Sequence, residues 1–300
     1  MMRILLLGKD GQVGWELQRA LAPLGQVVSA GRGQADFEQP DQVLALVRQV
    51  MPHAIVNAAG YTAVDRAQTD EARARRVNAE TPAALAVLAQ EIGAWLVHYS
   101  TDYVFDGTAQ GPYTEEDVPN PLSVYGASKL DGEIAVRELA SRHLVFRTSW
   151  VHAARGANFA KTMLRLARER DVLKVVADQV GAPTGAELIA DITALALHRV
   201  LRMPDAGFAG VYHLAAAGET TWHGYARHVL SRAARQGAVL RAGADAVIPV
   251  PSAEYPTAAV RPRNSRLACG KIEQAFGVVM PAWQIHVDRM VDELASQGVL

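Results

Sequence analysis

Between residues 4 and 149, five short apolar runs alternate with longer amphipathic stretches: ILLL (4–7), VVSA (27–30), AIVNAA (54–59), WLVHYS (95–100) and LVFRTS (144–149). Each run has the length of a strand, and helix-like stretches separate them. Such an alternation predicts a parallel sheet covered by helices on both faces, with ligands held at the carboxyl ends of the strands. The expected fold class is therefore α/β, a Rossmann-type doubly wound parallel sheet. Helix starts are signalled at Asp41 after Pro40, Thr81 before Pro82 and Ser123 after Pro121, each a cap or first-turn pattern.

After Trp150 the rhythm changes to helical stretches such as NFAKTMLRLARER, AELIADITALALHRVL and TWHGYARHVLSRAARQG, separated by the strand-like pieces KVVAD and VYHLA. This predicts a dinucleotide-binding domain over residues 1–150 and a smaller mixed α/β substrate domain over 151–300, with exchange of chain between the two left open. The loops DQVGAPTG and PTAAVRPRNS are long enough to carry function.

Half of the 300 residues are hydrophobic, ample for a core, and 30 lysines and arginines face 31 aspartates and glutamates. That balance provides no global field to recruit nucleic acid or an acidic membrane, so an anionic ligand must be met by local groups. The single cysteine, Cys269, cannot close an internal disulfide, which points to a reducing compartment and a cytoplasmic location. The opening MMRILLLGKDG has an apolar run too short for a secretory core or a membrane span.

Directly after the first run stands GKDGQVG, with Gly8, Gly11 and Gly14 spaced G-x-x-G-x-x-G. Glycines there permit a tight turn, let backbone N–H groups and a helix start approach a pyrophosphate, and let helix and strand pack closely. An NAD site ordinarily has an acid after the second strand for the ribose hydroxyls. Here Gly31 and Arg32 occupy that place, and Arg32 is open to two readings, a 2′-phosphate partner or a solvated surface arginine. Asp36 is a candidate for the adenine edge. Ala58, Ala59 and Gly60 are open to two readings, small residues against which a cofactor lies or simple tight packing. Ser100, Thr101 and Asp102 fall at the carboxyl edge of the fourth strand, where a hydroxyl can hold a substrate carbonyl or, equally, cap the following turn.

PLSVYGASK places Tyr125 four residues before Lys129, on one face of a helix. A tyrosine is a poor acid at neutral pH, and a nearby ammonium stabilises its phenolate and lowers its pKa. The pair therefore suits a proton donor and its tuning cation.

Together GKDGQVG, STDYVF and YGASK resemble the extended short-chain dehydrogenase/reductases. VNAAGYTAVDRA, FRTSWV, NFAKTMLRLA, DQVGAPTGAE, YHLAAAGETTWHGYA and YPTAAVRPRNSRL extend a similarity to the dTDP-4-dehydrorhamnose reductases over nearly the whole chain. The resemblance implies reduction of the C4 ketone of dTDP-4-dehydro-β-L-rhamnose to dTDP-L-rhamnose, a nucleotide-sugar step that supplies cell-surface polysaccharide. It implies NADPH as coenzyme, with NADH possible, and the departure at Gly31 and Arg32 weighs against NADH preference. It makes Thr101 the carbonyl-binding hydroxyl, Tyr125 the proton donor, and Lys129 the tuning cation and ribose clamp. Asp102 and Trp150 match positions that hold the sugar nucleotide, Gln12 and Val13 the pyrophosphate turn, and Ala59, Gly60 and Tyr61 the wall beside the cofactor. Asn158, Arg261 and Arg263 are candidates for the substrate diphosphate, each equally readable as an ordinary surface or loop residue.

The resemblance further implies a homodimer bridged by Mg²⁺ through Glu16, Glu187 and Glu293. Each glutamate has a plain alternative in its own helix, Glu187 as the end of a Thr184-Gly185-Ala186-Glu187 capping box. Two rival functions belong to the same superfamily. One is a non-catalytic dinucleotide-binding subunit like the regulatory subunit of methionine adenosyltransferase, against which the intact Thr-Tyr-Lys set argues. The other is a sugar-nucleotide epimerase or a dehydratase, and for a dehydratase Tyr103 stands after Asp102 where a glutamate is expected.

Overall fold

A computed structural model describes residues 1–204 and 206–300. The first half runs β1 (Arg3–Leu7), α1 (Gln12–Leu21), β2 (Gln26–Ala30), α2 (Pro40–Val50), β3 (Ala54–Asn57), α3 (Val64–Ala67), α4 (Glu71–Arg75), α5 (Thr81–Glu91), β4 (Trp95–Thr101), α6 (Val124–Leu139) and β5 (His143–Thr148). The second half adds β6 (Val151–His152), α7 (Phe159–Glu169), β7 (Leu173–Val176), β8 (Val180–Gly181), β9 (Thr184–Gly185), α8 (Ala186–Arg202), β10 (Gly210–His213), β11 (Thr220–Thr221), α9 (Trp222–Arg235), β12 (Val247–Val250), α10 (Gly270–Phe276) and α11 (Trp283–Ser296).

The main sheet has the order β2-β1-β3-β4-β5-β10, and every pair in it is parallel. Side chains alternate between its faces as strand geometry requires. Ile4 and Leu6 pack with Leu17 and Leu21 of α1 and with α8, whereas Leu5 and Leu7 pack with Val43 and Val47 of α2 and Leu85 of α5. Because both faces are covered, the strands are apolar throughout instead of alternating. The chain steps outward from β1 to β2 and then crosses back to β3 on the other side of β1, which opens a crevice above the carboxyl ends of β1 and β3.

All five early strands form where the apolar runs place them. VYHLA becomes β10 and joins β5 in the main sheet, with Tyr212 opposite Phe146. KVVAD becomes β7 in a separate two-stranded parallel pair with β12. Helix α8 lies along α1, so second-half segments extend the sheet and cover one of its faces.

The helix starts follow local chemistry with two exceptions. Pro40 opens α2 and needs no N–H there, and Ser123 caps α6 by accepting from the Gly126 amide at 3.2 Å. Thr81 is not a cap. The chain is already helical from Glu71 and passes through a π turn at Arg76–Glu80, and the Thr81 hydroxyl donates instead to the Phe37 carbonyl at 2.7 Å. Nor does the capping box form at α8: Gly185 is the N-cap, and the Thr184 hydroxyl donates to the Ala182 carbonyl at 3.1 Å.

Candidate active site

The turn after β1 shows why glycine is needed there. Gly8 has φ +85°, and a Cβ on it would lie 2.6 Å from the Ala59 nitrogen; a Cβ on Gly14 would lie 2.0 Å from the Gly8 carbonyl oxygen. Gly8 thus admits the neighbouring β3 loop, and Gly14 lets α1 close on the turn without itself facing a ligand. Gly11 caps α1 with no side-chain hydrogen bond. The N–H groups of the first turn lack intrahelical partners and suit a pyrophosphate.

A cleft of about 480 Å³ lies over the carboxyl ends of the central strands. Thr101, Asp102, Tyr125 and Lys129 form one wall, and Trp150 and Asn158 stand on the second-half side. Gly11, Gln12, Val13, Ala59 and Gly60 line the same cleft. An adjoining recess of about 210 Å³ holds Gly8, Arg32 and Asp36, and it shares Gly11 and Ala58 to Gly60 with the cleft. Arg32 is two-thirds exposed and pairs with Glu38 at 3.2 Å and Asp36 at 3.8 Å. It is therefore a weakly held cation at the recess, screened by water.

Polar groups at the end of β4 are tightly organised. The Thr101 hydroxyl donates to Asp102 Oδ1 at 3.0 Å and accepts from the Tyr103 amide at 3.2 Å. Burial pushes the Asp102 carboxyl up to about 6, against the hydrogen bond from Thr101. Burial likewise pushes Tyr125 up to about 12, with a hydrogen bond to Thr101 opposing it. Burial lowers Lys129 to about 8, and the Glu133 carboxylate one turn on opposes that fall. The Lys129 ammonium donates to the Tyr99 carbonyl at 2.5 Å. Burial is thus the leading influence on Tyr125, and the Lys129 ammonium one turn on is engaged by the main chain. Behind Lys129, Glu133 and Arg147 form a buried two-pronged ion pair, with bonds of 2.9 and 2.5 Å.

Across the cleft, Trp150 adopts φ +47° in the link between β5 and β6, a costly conformation for a bulky residue. Its indole stacks on Trp222, with centroids 3.6 Å apart and planes 15° apart. Gly181 admits it, since a Cβ there would lie 2.7 Å from the indole. Trp222 is tied through its N–H to Gln179 at 3.1 Å, and Phe159 lies 4.6 Å from it between centroids. Trp222, Phe159 and Tyr225 line the cleft and were not among the candidates read from sequence. The available signal is the i, i+3 pair of aromatics in TWHGYA at the start of α9, which sequence alone cannot separate from ordinary core.

Asn158 caps α7, accepting from the Lys161 amide at 3.1 Å, and donates to the Gln12 side chain at 3.0 Å. It thereby joins the two walls. Tyr61 lies beside the cleft, with its hydroxyl donating to Asp70 at 3.1 Å. Arg261 and Arg263 are not in the cleft lining. Arg261 pairs with Asp65 at 2.8 Å, and Arg263 is exposed. Glu16, Glu187 and Glu293 do come together with His152 and His286 around a separate cavity of about 10 Å³. Among the described residues of one chain, no group of three histidine, cysteine or acidic side chains is placed to hold a metal ion.

The RmlD substrate binding domain model matches residues 2–296. A dTDP-4-dehydrorhamnose reductase of Escherichia coli (strain K12) is 52% identical over 297 residues, 98% of each chain. The chain belongs to the dTDP-4-dehydrorhamnose reductase family. A Burkholderia thailandensis member is 49% identical, covering 99% of this chain and 100% of its own. A Bacillus anthracis member solved in complex with NADP has a TM-score of 0.85 at 33% identity, covering 98% of this chain and 100% of that one. Family membership therefore extends through both halves, and no part of the cleft falls outside the similarity.

Proposed function

We infer that this chain is an oxidoreductase that uses NADPH to reduce the C4 ketone of dTDP-4-dehydro-β-L-rhamnose, giving dTDP-L-rhamnose. The observation that carries this reading is the meeting of Thr101, Tyr125 and Lys129 in one cleft that continues into the glycine turn. Relatives about half identical over nearly the full length bear the reductase name, and one structural neighbour binds NADP.

The cofactor fits the residues present. The cap of α1 is bare, Gly8 and Gly14 leave no room for a Cβ, and the recess offers Arg32 for a 2′-phosphate. NADPH, when bound, supplies the hydride that reaches C4. Gln12 and Val13 would hold the pyrophosphate with first-turn amides, and Ala59, Gly60 and Tyr61 would wall the cofactor. Lys129 would hold the ribose and keeps its positive charge near the site. Tyr125, and Thr101 once its hydroxyl turns from Asp102, donate to the substrate oxygen as charge builds on it, and Tyr125 then gives its proton to the alkoxide. Buried this deeply, Tyr125 is protonated throughout the neutral range, as a donor must be. Asp102 and Trp150 orient the sugar, which secures the approach of C4.

Residues 1–150 serve chiefly the cofactor and 151–300 chiefly the sugar nucleotide, with α8 and β10 exchanged into the first half. Asn158, on the second-half wall of the cleft, is the candidate for the diphosphate and would have to turn from Gln12 to reach it. Arg261 and Arg263 reach it only by leaving their present positions. Two copies associate through the surface carrying Glu16, Glu187 and Glu293, with Mg²⁺ shared between them. Glu16 is pushed up by burial and by neighbouring Glu187, the strain that a cation would relieve. The balanced charge and reduced cysteine suit a cytoplasmic enzyme acting on small molecules. No helix among the described residues is long and apolar enough to cross a membrane.

The test is purified protein with NADPH and dTDP-4-dehydrorhamnose, followed by nicotinamide absorbance, with the product identified by mass. Stoichiometric NADPH loss and a product two hydrogens heavier are expected. No consumption with folded protein overturns the reading.

A further inference from the structure

The main chain from Ala58 to Gly60 borders both the cleft and the recess, so a dinucleotide spanning the two must pass along it. This segment also presses on the glycine turn, because the Gly8 α-carbon leaves no space for a Cβ beside the Ala58–Ala59 peptide. Whatever fixes that peptide fixes one side of the cofactor path.

Two hydrogen bonds lead away from it into the sheet. The Ala59 amide donates to Asn57 Oδ1 at 3.1 Å, and the Asn57 amide nitrogen meets His98 Nδ1 at 3.1 Å. Asn57 ends β3, His98 lies opposite it on β4 in the parallel register, and each is 1% exposed. The order of donors is determined by the first bond. Since Oδ1 accepts from the backbone, Nδ2 faces the ring and must donate, so Nδ1 of His98 must be an acceptor. A histidine that accepts at Nδ1 is neutral and carries its proton on Nε2, the nitrogen left without a partner. Burial, helped by the charge of Lys129, independently holds the ring neutral by lowering its pKa well below the usual value.

We propose that His98 is a positioning residue: as an obligatory hydrogen-bond acceptor it orients Asn57, which locks the Ala58–Gly60 main chain against Gly8 and so sets where NADPH lies. The proposal rests on the NADPH-dependent function given above. It assigns His98 no contact with substrate or cofactor, and no proton transfer.

The test compares His98→Leu, which fills similar space without an acceptor, with His98→Asn, whose Oδ1 stands near the place of Nδ1. Kd for NADPH is read by nicotinamide fluorescence and Kd for dTDP by calorimetry. His98→Leu is expected to weaken NADPH about 10-fold, the scale of one lost hydrogen bond in a buried pair. The dTDP affinity should stay at the parent value, and His98→Asn should recover most of the NADPH loss. Parent-like NADPH binding by His98→Leu, or equal loss in both variants, overturns the proposal, the second because it reveals a packing role. Should His98→Leu fail to fold, His98→Phe provides the same test, since it keeps a planar ring in that space and has no acceptor nitrogen. Weakened NADPH with unchanged dTDP binding is expected there, and parent-like NADPH binding overturns the inference. If the parent itself binds no NADPH, the proposed function falls with it; if only the variants behave like the parent, this inference alone falls.

Discussion

Lys129, on the second turn of α6, hydrogen-bonds the carbonyl oxygen of Tyr99 on β4 at 2.5 Å. That contact pins the ammonium at the carboxyl end of the sheet, one turn after Tyr125, whose burial raises its pKa. The two residues thus hold separate tasks: a fixed cation and a phenol that stays protonated.

Burial brings Lys129 down to about 8. Its ammonium is complete below that value and is lost as pH rises through it, so kcat should fall across the same interval. Lys129→Arg, charged at every accessible pH, should remove this limb even if its activity is lower. A kcat profile for the parent that stays flat to about pH 10, near the ordinary lysine value, would separate Lys129 from the reaction.

Arg32 at the recess is held only by surface pairs with Glu38 and Asp36, so it is free to turn to a 2′-phosphate at little cost. The parent should use NADPH at least as well as NADH. Arg32→Ala should shift the ratio of kcat/KM values toward NADH by roughly 10-fold, the loss of one charge-assisted contact. An unchanged ratio would show that Arg32 does not read the phosphate.

Glu16, Glu187 and Glu293 surround one small cavity, with Glu187 paired to Arg289 at 3.0 Å and Glu16 near Arg19 at 3.6 Å, and the proposed cation shared with a second copy is tested by its removal. Chelation should weaken the dimer in sedimentation, and Glu187→Gln should weaken it without chelator. The same monomer–dimer equilibrium in all conditions would leave these glutamates as ordinary helix residues.

Glu133 and Arg147 are fully buried and bonded to each other at two points. Glu133→Gln would leave the guanidinium buried without its counter-charge, a change that costs about 3–5 kcal/mol. Urea titration should show a midpoint lowered accordingly with an unaltered slope. A midpoint equal to the parent's would mean that water or another group satisfies Arg147.

The early strands were legible because strands covered on both faces are apolar from end to end, and the glycine turn because Gly8 and Gly14 answer steric demands that no other residue meets. Tyr125 and Lys129 were legible as a same-face pair. Their electrostatics were not, since desolvation depends on what α6 packs against. VYHLA revealed a strand but not its neighbour, because pairing with β5 across more than sixty residues leaves no local mark. The stacked Trp150 and Trp222 meet only through the positive φ of Trp150 and the bare Gly181 beside it. The bond from His98 to Asn57 is likewise a product of register between β3 and β4. Thr81 shows the opposite failure, a good local signal overridden when the preceding residues wind into a π turn.

The most direct test of the chemistry is Tyr125→Phe, which keeps the ring and removes only the proton donor. With NADPH bound at near-parent affinity, single-turnover reduction of dTDP-4-dehydrorhamnose should slow by roughly 10² or more, the usual scale of general acid catalysis. Reduction within a few-fold of the parent rate would contradict the assignment of Tyr125 as the acid.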